Sequence, residues 1–488
     1  MGLRPLWGKH REMRYDEPME SRNTHADGAS LEAALAFSSL PDTALESFAT
    51  EASLDPLDEA GALASADDAH EDVILVVHAS VGSGHRSAAL AIAEALDELS
   101  AEAAENPDTP ERQLEARTRT EVLDILDFGR IVFDGDKTAS MFTGWTRPFY
   151  DLTWRYVLTG RLLWGGGTIW ARIMYPKFVD YVREVRPKAI VCTHITAANV
   201  AVSARMLTGL GFPIICVPTD YEAEGLWPHL HTDLFCVANE HMAETLRPRK
   251  VPEDRILITG IPASPAFSRR YDRAAPRERL GIPDDKQLVL ALAGAKLPQP
   301  YVHFRDNLGH ILPFMHTLPS LHLVIVAGAD ADYAADVRRQ VAELGLANVT
   351  VLDYVNNMAE LMEASDLVIC KSGGLTVTEC LCAKAPMILL GRAYGQEKAN
   401  VRMLTGAGAA MSATTPRELL DTLRHIDDHS ASADAMLINA SLLRRPQAAQ
   451  DIARATFDLI MKEPPRDPKL RAKHFLHFYW GHKPAHTR

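Results

Sequence analysis

A glycine turn in the second half of the chain has residue types that bind a phosphate. The stretch SDLVICKSGGLTVTECLCAKA, residues 365–385, is predicted to form a buried strand, a Gly-Gly turn and a helix. Gly373 and Gly374 let the backbone approach a phosphate, whose negative charge favours the N-terminus of a helix. Glu379 lies one turn into that helix, where a carboxylate can accept hydrogen bonds from ribose hydroxyls. The turn is a candidate nucleotide site, although the glycines could be purely structural and Glu379 simply solvated.

Two amide side chains follow one predicted strand later, in the stretch YGQEKAN at residues 394–400. Gln396 and Asn400 are four residues apart, so on a helix they share one face. Amides both donate and accept hydrogen bonds, which is what the hydroxyls of a sugar require. The order of turn, acid and paired amides is more specific than any of these features alone.

A second glycine turn, HASVGSGHRS at residues 78–87, follows the aliphatic run Val73–Val77. It has Gly82 and Gly84, but it lacks the third glycine of a dinucleotide fingerprint and the Gly-Lys-Ser/Thr ending of a P-loop. It does have His85, at the point where a strand is expected to turn into a helix. An imidazole near its reference pKa suits a general base. The alternative is that His85 caps the helix or orders the loop.

These motifs require strands that end at a common edge, and the chain alternates short aliphatic runs with helical patterns. Aliphatic strands separated by helices predict parallel sheets that are covered on both faces. The predicted strands are Val73–Val77, Val122–Leu126, Ala189–Thr193, Pro213–Pro218, Leu234–Ala238, Ile256–Thr259, Leu288–Ala293, Leu323–Ala327, Val349–Leu352, Leu367–Cys370 and Met387–Leu390. The Pro- and Arg-rich stretch 262–283 separates two blocks, so we expect two doubly wound α/β domains with ligands bound between them.

The length, charge and cysteine content of the chain limit the class of protein to which it can belong. A chain of 488 residues is too long for one core, and a net charge of −13 argues against general nucleic-acid binding. The six cysteines lack zinc or thioredoxin spacing, which predicts buried reduced thiols and no metal site. Residues 1–70 are predicted to be a disordered acidic extension. With no apolar core at the N-terminus and no spanning apolar run, we expect a cytoplasmic protein.

An aromatic and basic stretch, residues 141–177, interrupts the alternation of strands and helices. Trp154, Trp164 and Trp170 lie in it among Arg and Lys residues. This composition suits a helical surface in contact with a membrane, although a helical subdomain with its aromatics packed inward has the same composition. The tail 469–488 repeats the mixture and is either a second membrane contact or a solvated basic tail.

The order of the motifs resembles a known family, the monogalactosyldiacylglycerol synthases and processive diacylglycerol glucosyltransferases. This family is related to the lipid II-forming N-acetylglucosaminyltransferase of peptidoglycan synthesis. The matching segments are VGSGHRSAA (81–89), LDILDF (123–128), THITAA (193–198), PTDYEAEGLW (218–227), GIPASPAF (260–267), DYVNNMAELMEASDLVICKSGGLTVTECL (353–381) and GQEKAN (395–400). The resemblance implies a GT-B fold of two Rossmann-like domains. It also implies inverting transfer of a sugar from a UDP-sugar to a membrane lipid, without a bound catalytic metal.

The resemblance also implies a role for individual residues. His85 would lie beside the lipid headgroup as the base, and Asp220 would orient it or act as the base itself. The residues expected to bind UDP and the donor sugar are Gly294, Lys371, Gly373, Gly374, Leu375, Thr376, Glu379, Gln396, Glu397 and Asn400. Those expected at the acceptor or membrane are Gly82, Gly84, His194, Trp154, Trp164 and Trp170.

The expected protein is a hexosyltransferase that uses UDP-glucose or UDP-galactose and acts on diacylglycerol at the anionic inner face of the cell membrane. Its expected parts are the extension 1–70, an acceptor domain 71–262, a UDP-sugar domain 275–440, and a helix and tail 441–488. Two alternatives remain open. One is an enzyme similar to UDP-N-acetylglucosamine 2-epimerase. The other is a non-catalytic GT-B protein, suggested by AGAKLPQ at Ala293–Gln299, where most members of the family are glycine-rich.

Overall fold

The computed structural model describes residues 72–81, 83–130, 173–222, 227–294, 302–393, 397–428 and 431–462. Several predicted sites lie outside these residues: the tryptophans of 141–170, the tail 469–488, the acidic extension, Gly82, Gln396 and most of the loop 293–299. The described part forms two six-stranded sheets in which every strand pair is parallel. The predicted α/β class is therefore confirmed.

The first sheet is built from the first half of the chain, and its strand order is β2-β1-β3-β4-β5-β6. Its strands are β1 (Asp72–His78), β2 (Thr118–Asp124), β3 (Ala189–Cys192), β4 (Ile214–Cys216), β5 (Leu234–Val237) and β6 (Ile256–Ile258). The aliphatic run of β1 buries both faces of this sheet. Leu75 and Val77 pack into one hydrophobic cluster, and Ile74 and Val76 into another.

The second sheet has the order β12-β11-β10-β7-β8-β9. Its strands are β7 (Gln287–Leu292), β8 (Leu321–Val326), β9 (Val349–Leu352), β10 (Leu367–Cys370), β11 (Met387–Leu390) and β12 (Ala410–Ala413). Its central strand β7 also buries alternate residues on opposite faces, with Leu288 and Leu290 on one and Val289 and Ala291 on the other.

Helices connect the strands and cover the sheets. They are α1 (Ser83–Glu105), α2 (Pro110–Ala116), α3 (Pro176–Val185), α4 (Ile195–Thr208), α5 (Glu240–Leu246), α6 (Ala274–Arg279), α7 (Val302–Ile311), α8 (Ala331–Glu343), α9 (Met358–Ala364), α10 (Gly374–Cys382), α11 (Glu397–Gly406), α12 (Pro416–Asp428), α13 (Ala431–Leu443) and α14 (Ala448–Lys462). The last helix packs back onto the first sheet, because Ile452 and Phe457 of α14 share a cluster with Ile92 and Leu96 of α1.

Two strand predictions need correction. Strand β2 begins at Thr118 rather than Val122, and Ile125–Phe128 is a 3₁₀ turn rather than the end of the strand. Its sequence TRTEVLD has only two adjacent aliphatic residues and lies at a sheet edge, so it lacks the aliphatic run that marks a central strand. Edge strand β12 was not predicted at all. The six cysteines are buried and free, as expected.

The limits of the four parts expected from the sequence remain a prediction.

Among the described residues, no helix is both long and apolar enough to cross a membrane.

Candidate active site

Each sheet has a point at which the strand order reverses, and these two points carry the predicted motifs. The chain passes from β1 to β2 on one side and later returns to β3 on the other, so the turns after β1 and β3 open a crevice. In the second sheet, the corresponding crevice lies between the turns after β7 and β10. His85 and His194 lie at the first crevice, and the Gly-Gly turn lies at the second.

The His85 ring is held through one nitrogen. Its Nδ1 lies 3.0 Å from the carbonyl oxygen of Thr193 and 3.0 Å from Oγ1 of Thr219. Because a carbonyl only accepts hydrogen bonds, Nδ1 carries the proton in the neutral ring and Nε2 carries the lone pair. Burial lowers the pKa of His85 below its ordinary 6.5, which the hydrogen bond to Thr193 partly offsets. The ring is therefore neutral at pH 7 and has an unprotonated nitrogen, as a general base requires.

His194 is used differently. Its Nδ1 accepts a hydrogen bond of 3.1 Å from the backbone N–H of Thr196 and so caps the N-terminus of α4. Its ring packs edge-on against His85, with 4.6 Å between the ring centroids. Burial lowers its pKa well below 6.5. This geometry makes His194 a neutral support for the His85 ring, and its predicted contact with the acceptor stays a prediction.

The Gly-Gly turn is pressed against the first half of the chain. Gly373 is the N-cap of α10, and no side chain caps that helix end. A Cβ on Gly374 would lie 1.9 Å from the carbonyl oxygen of Thr219 and 3.1 Å from Oδ1 of Asp220. Gly374 is therefore required by a backbone approach from the segment after β4, in addition to any phosphate. The next residues of α10, Leu375 and Thr376, are buried and partly buried.

Glu379 has a partly buried carboxyl group on α10 that makes no hydrogen bond or ion pair with the described residues. Burial raises its pKa from the ordinary 4.5 to about 8. A carboxyl group held in this way gains most from a ligand that donates hydrogen bonds to it.

Two other predicted donor residues, Lys371 and Glu397, lie beside Gly373. The Lys371 ammonium lies 3.4 Å from Oε1 of the largely buried Glu397, at the start of α11. Gly294, after β7, lies against the turn after β8, because its Cβ would be 2.8 Å from the Cα of Gly328. In the part of the chain that the structure describes, no group of three His, Cys, Asp or Glu residues could hold a metal ion.

Asn400 is fully buried, and its amide joins the two halves of the chain. Its Nδ2 donates to Oδ1 of Asp220 at 3.1 Å and to the carbonyl oxygen of Ser372 at 2.9 Å. Its Oδ1 accepts from the backbone N–H of Tyr221 at 3.1 Å. Both N–H groups are thus used by protein acceptors. Its predicted contact with the donor sugar remains untested.

Sequence reasoning did not single out Thr219 or Tyr221. The only signal was the segment PTDYEAEGLW, in which Asp220 alone had been given a role.

Two family models match the chain. The model described as Monogalactosyldiacylglycerol (MGDG) synthase matches residues 137–263, and the Glycosyltransferase family 28 C-terminal domain matches residues 311–452. A curated relative, a processive diacylglycerol beta-glucosyltransferase from Staphylococcus carnosus, is 28% identical over 261 residues. That alignment covers 53% of this chain and 64% of the relative, so the chain spans slightly less than two thirds of the relative's length.

Two solved structures share the fold. The S. aureus MnaA-UDP co-structure is 12% identical with a TM-score of 0.51, and the match covers 80% of this chain and 99% of that one. A structure described as a UDP-N-acetylglucosamine 2-epimerase from Listeria monocytogenes is 15% identical with a TM-score of 0.51, covering 81% and 98%. At such low identity these likenesses concern the fold alone, and they confirm the predicted GT-B architecture. In both halves the chain is similar to the monogalactosyldiacylglycerol synthase and processive diacylglycerol glucosyltransferase family, as its motifs predicted.

Proposed function

We propose that the protein is an inverting glycosyltransferase that moves a hexose from a UDP-sugar to diacylglycerol or a similar membrane lipid. The observation that carries this proposal is the contact between the base, His85, and the turn Ser372–Gly374, which we call the donor turn. Thr219 bonds the His85 ring through its hydroxyl, and its carbonyl oxygen lies against Gly374. Thr219 therefore contacts both the proposed base, at the first crevice, and the proposed phosphate-binding turn, at the second.

The donor would bind at the second crevice. The uncapped N–H groups at the start of α10 and the Lys371 ammonium would hold the diphosphate. The Glu379 carboxylate would accept hydrogen bonds from the ribose hydroxyls. Gln396 would hold the donor sugar, as the family resemblance implies. The name of the Staphylococcus relative supports a hexose donor, and UDP-glucose and UDP-galactose are the two donors that we propose.

The reaction needs one proton transfer and one displacement. Nε2 of His85 would take the proton from the acceptor hydroxyl while the hydroxyl oxygen attacks the anomeric carbon. The new glycosidic bond forms as the bond to UDP breaks, which inverts the anomeric centre. UDP leaves with its negative charge stabilised by the N–H groups of α10 and by Lys371. The carbonyl oxygen of Thr193 then stabilises the charged His85 ring.

Asp220 is the second candidate for the base. Its Oδ1 accepts a hydrogen bond from Asn400, so it lies beside the donor turn. In this proposal it helps to position Thr219 and Tyr221 on either side of it, whereas direct proton removal by Asp220 remains the alternative.

The acceptor would be presented by a membrane. The names of the diacylglycerol glycosyltransferase relatives support a lipid acceptor, and the aromatic and basic stretch 141–177 has the composition of a membrane contact. We propose peripheral binding at the anionic inner face of the cell membrane, which flotation with anionic vesicles tests.

Purified protein should be incubated with diacylglycerol liposomes and either UDP-glucose or UDP-galactose. The expected result is a glycolipid together with an equal amount of UDP. Binding of UDP without transfer from any donor would instead favour the non-catalytic alternative. Conversion of UDP-N-acetylglucosamine without any acceptor would favour an epimerase.

A further inference from the structure

Three consecutive residues after β4, Thr219–Tyr221, touch both the base and the donor turn, and we call them the bridging segment. At its first residue, the Thr219 hydroxyl contacts Nδ1 of His85 at 3.0 Å, while its carbonyl oxygen lies against Gly374. Thr219 is buried, so water does not replace either contact. The position of the His85 ring therefore depends on where the bridging segment lies.

The far end of the bridging segment is tied to α10 by a chain of hydroxyl groups. The Oγ1 of Thr378 donates to the carbonyl oxygen of Gly374 at 2.8 Å. The hydroxyl of Tyr221, 3.0 Å from the same Oγ1, must then be the donor of that second bond. Both hydroxyls are buried, and such chains strengthen each other in a site of low dielectric.

Asn400 holds the middle of the bridging segment. Its single amide bonds the side chain of Asp220, the backbone N–H of Tyr221 and the carbonyl oxygen of Ser372 in the donor turn. No other described residue bonds all three. An amide that is fully buried and satisfied on both N–H groups has no donor left for a sugar hydroxyl.

We infer that Asn400 is a positioning residue that pins the bridging segment to the donor turn, and that the segment in turn holds His85 at the place where the acceptor is attacked. This inference rests on the proposed function for its catalytic meaning, since it assigns His85 as the base. It differs from the role that the family resemblance implies for Asn400, which is direct contact with the donor sugar.

The two roles predict different behaviour of Asn400→Ala. A sugar ligand contributes only when the sugar is present, so its loss would weaken UDP-glucose binding and leave UDP binding unchanged. A positioning residue contributes equally to the complexes with UDP and with UDP-glucose. The ratio of the two affinities should therefore stay within about 2-fold of wild type. Calorimetry with UDP and with UDP-glucose measures this ratio.

A positioning role for Asn400 also predicts an effect on the pKa of the His85 ring. Its ionisable neighbours are His194, whose ring lies against it, and His78 at the end of β1. Without Asn400, the bridging segment should loosen and admit water to the ring, which relieves the desolvation of the charged form. We expect the His85 resonance in a nuclear magnetic resonance titration to shift its midpoint upward by about 0.5 pH unit or more. The loss of that resonance in His85→Ala assigns it.

Asn439→Ala is the matched control, because its amide bonds the carbonyl oxygen of Gly408 within the second half of the chain. It should change neither the affinity ratio nor the His85 titration. If Asn400→Ala does not fold, Tyr221→Phe removes only the hydroxyl at the far end and should shift the midpoint in the same direction, but less.

Selective loss of UDP-glucose affinity with an unchanged His85 titration would overturn the inference and make Asn400 a sugar ligand. Unchanged values of both quantities would also overturn it. The titration needs no turnover, so it separates this inference from the proposed function. If the His85 midpoint shifts in Asn400→Ala but the wild type transfers no sugar, the positioning role of Asn400 is supported and the proposed glycosyltransferase function is contradicted.

Discussion

At the scale of single residues, burial acts on the two central ionisable groups in opposite directions. It lowers the pKa of His85 and raises that of Glu379 to about 8, because in both cases it disfavours the charged form. Both side chains are therefore mostly neutral at pH 7 in the unliganded protein. A base at His85 must be neutral in order to accept a proton. The Glu379 carboxyl group, in contrast, must lose its proton when a ligand that donates hydrogen bonds to it binds.

Replacing His85 by alanine should lower turnover by about 10²–10⁴-fold and leave UDP affinity unchanged. In the wild type at saturating UDP-sugar, kcat should fall only below pH 6.5, since the pKa of the base lies below that value. A pH–rate profile and calorimetry measure the two effects, and His241→Ala, on an exposed position of α5, is the control. Retained turnover in His85→Ala would remove it as the base and leave Asp220.

Replacing Glu379 by glutamine should stabilise the protein and weaken its ligand binding. The folded pKa, about 8, lies above the ordinary 4.5, so the unfolded state loses its proton first and wild-type stability falls as pH rises from about 4.5 to about 8. Glutamine has no such loss, so its advantage in thermal unfolding should grow across this range.

Wild-type UDP affinity should rise with pH toward 8, because ribose hydroxyls donate to the ionised carboxylate. The glutamine variant should bind UDP more weakly and without this pH dependence. Glu278→Gln, at an exposed position of α6, is the control for both measurements. Equal UDP affinity in Glu379→Gln and wild type would contradict the ribose role.

At the scale of elements, the turn between β10 and α10 is shaped by its contact with the segment after β4. Gly373 and Gly374 look like a phosphate turn in sequence, yet the structure adds a second requirement at Gly374. The carbonyl oxygen of Thr219 occupies the space that a side chain would take. If the turn binds the donor as proposed, donor binding and the packing of the two halves depend on the same backbone atoms.

Gly374→Ala should force this turn and the bridging segment apart. Because the clash is with backbone rather than with a flexible side chain, we expect a loss of about 1–3 kcal/mol in unfolding free energy and weaker UDP binding. Gly309→Ala, inside α7 with open space around its Cβ position, should instead be neutral or stabilising by up to about 1 kcal/mol. Denaturant unfolding of both variants tests the difference, and equal stability would show that the turn can move freely.

At the scale of the whole molecule, helix α14 connects the second half of the chain to the first. Helix α14 follows the second sheet in sequence, but it packs on α1 of the first. Several of its apolar side chains, among them Ile452 and Phe457, are buried in that contact. One face of the first sheet is therefore covered in part by a helix that follows the second sheet in sequence.

Phe457→Ala should lower the free energy of unfolding by about 3–5 kcal/mol, since it leaves a cavity between α14 and α1. Met461→Ala, on the same helix at 45% exposure, should have little effect. Chemical denaturation of the two variants provides the comparison. A small effect of Phe457→Ala would mean that α14 contributes little to the first half.

The parallel sheets could be predicted from sequence alone, because strands such as β1 and β10 bury both faces and therefore contain aliphatic runs. Edge strands β2 and β12 were misplaced or missed, since a half-exposed strand does not need such a run. Gly373, Gly374, Glu379 and His85 could likewise be recognised from residue type and local order.

The residues that join the two crevices could be identified only in the folded protein. Thr219 and His85 are 134 positions apart, and Asn400 and Asp220 are 180 apart, so no local pattern relates them. The tautomer of His85 follows from the carbonyl oxygen of Thr193, which comes directly after strand β3 and is 108 positions away in the chain. The sequence specifies local turns and faces, whereas contacts between distant polar groups exist only once the two sheets have packed and excluded water.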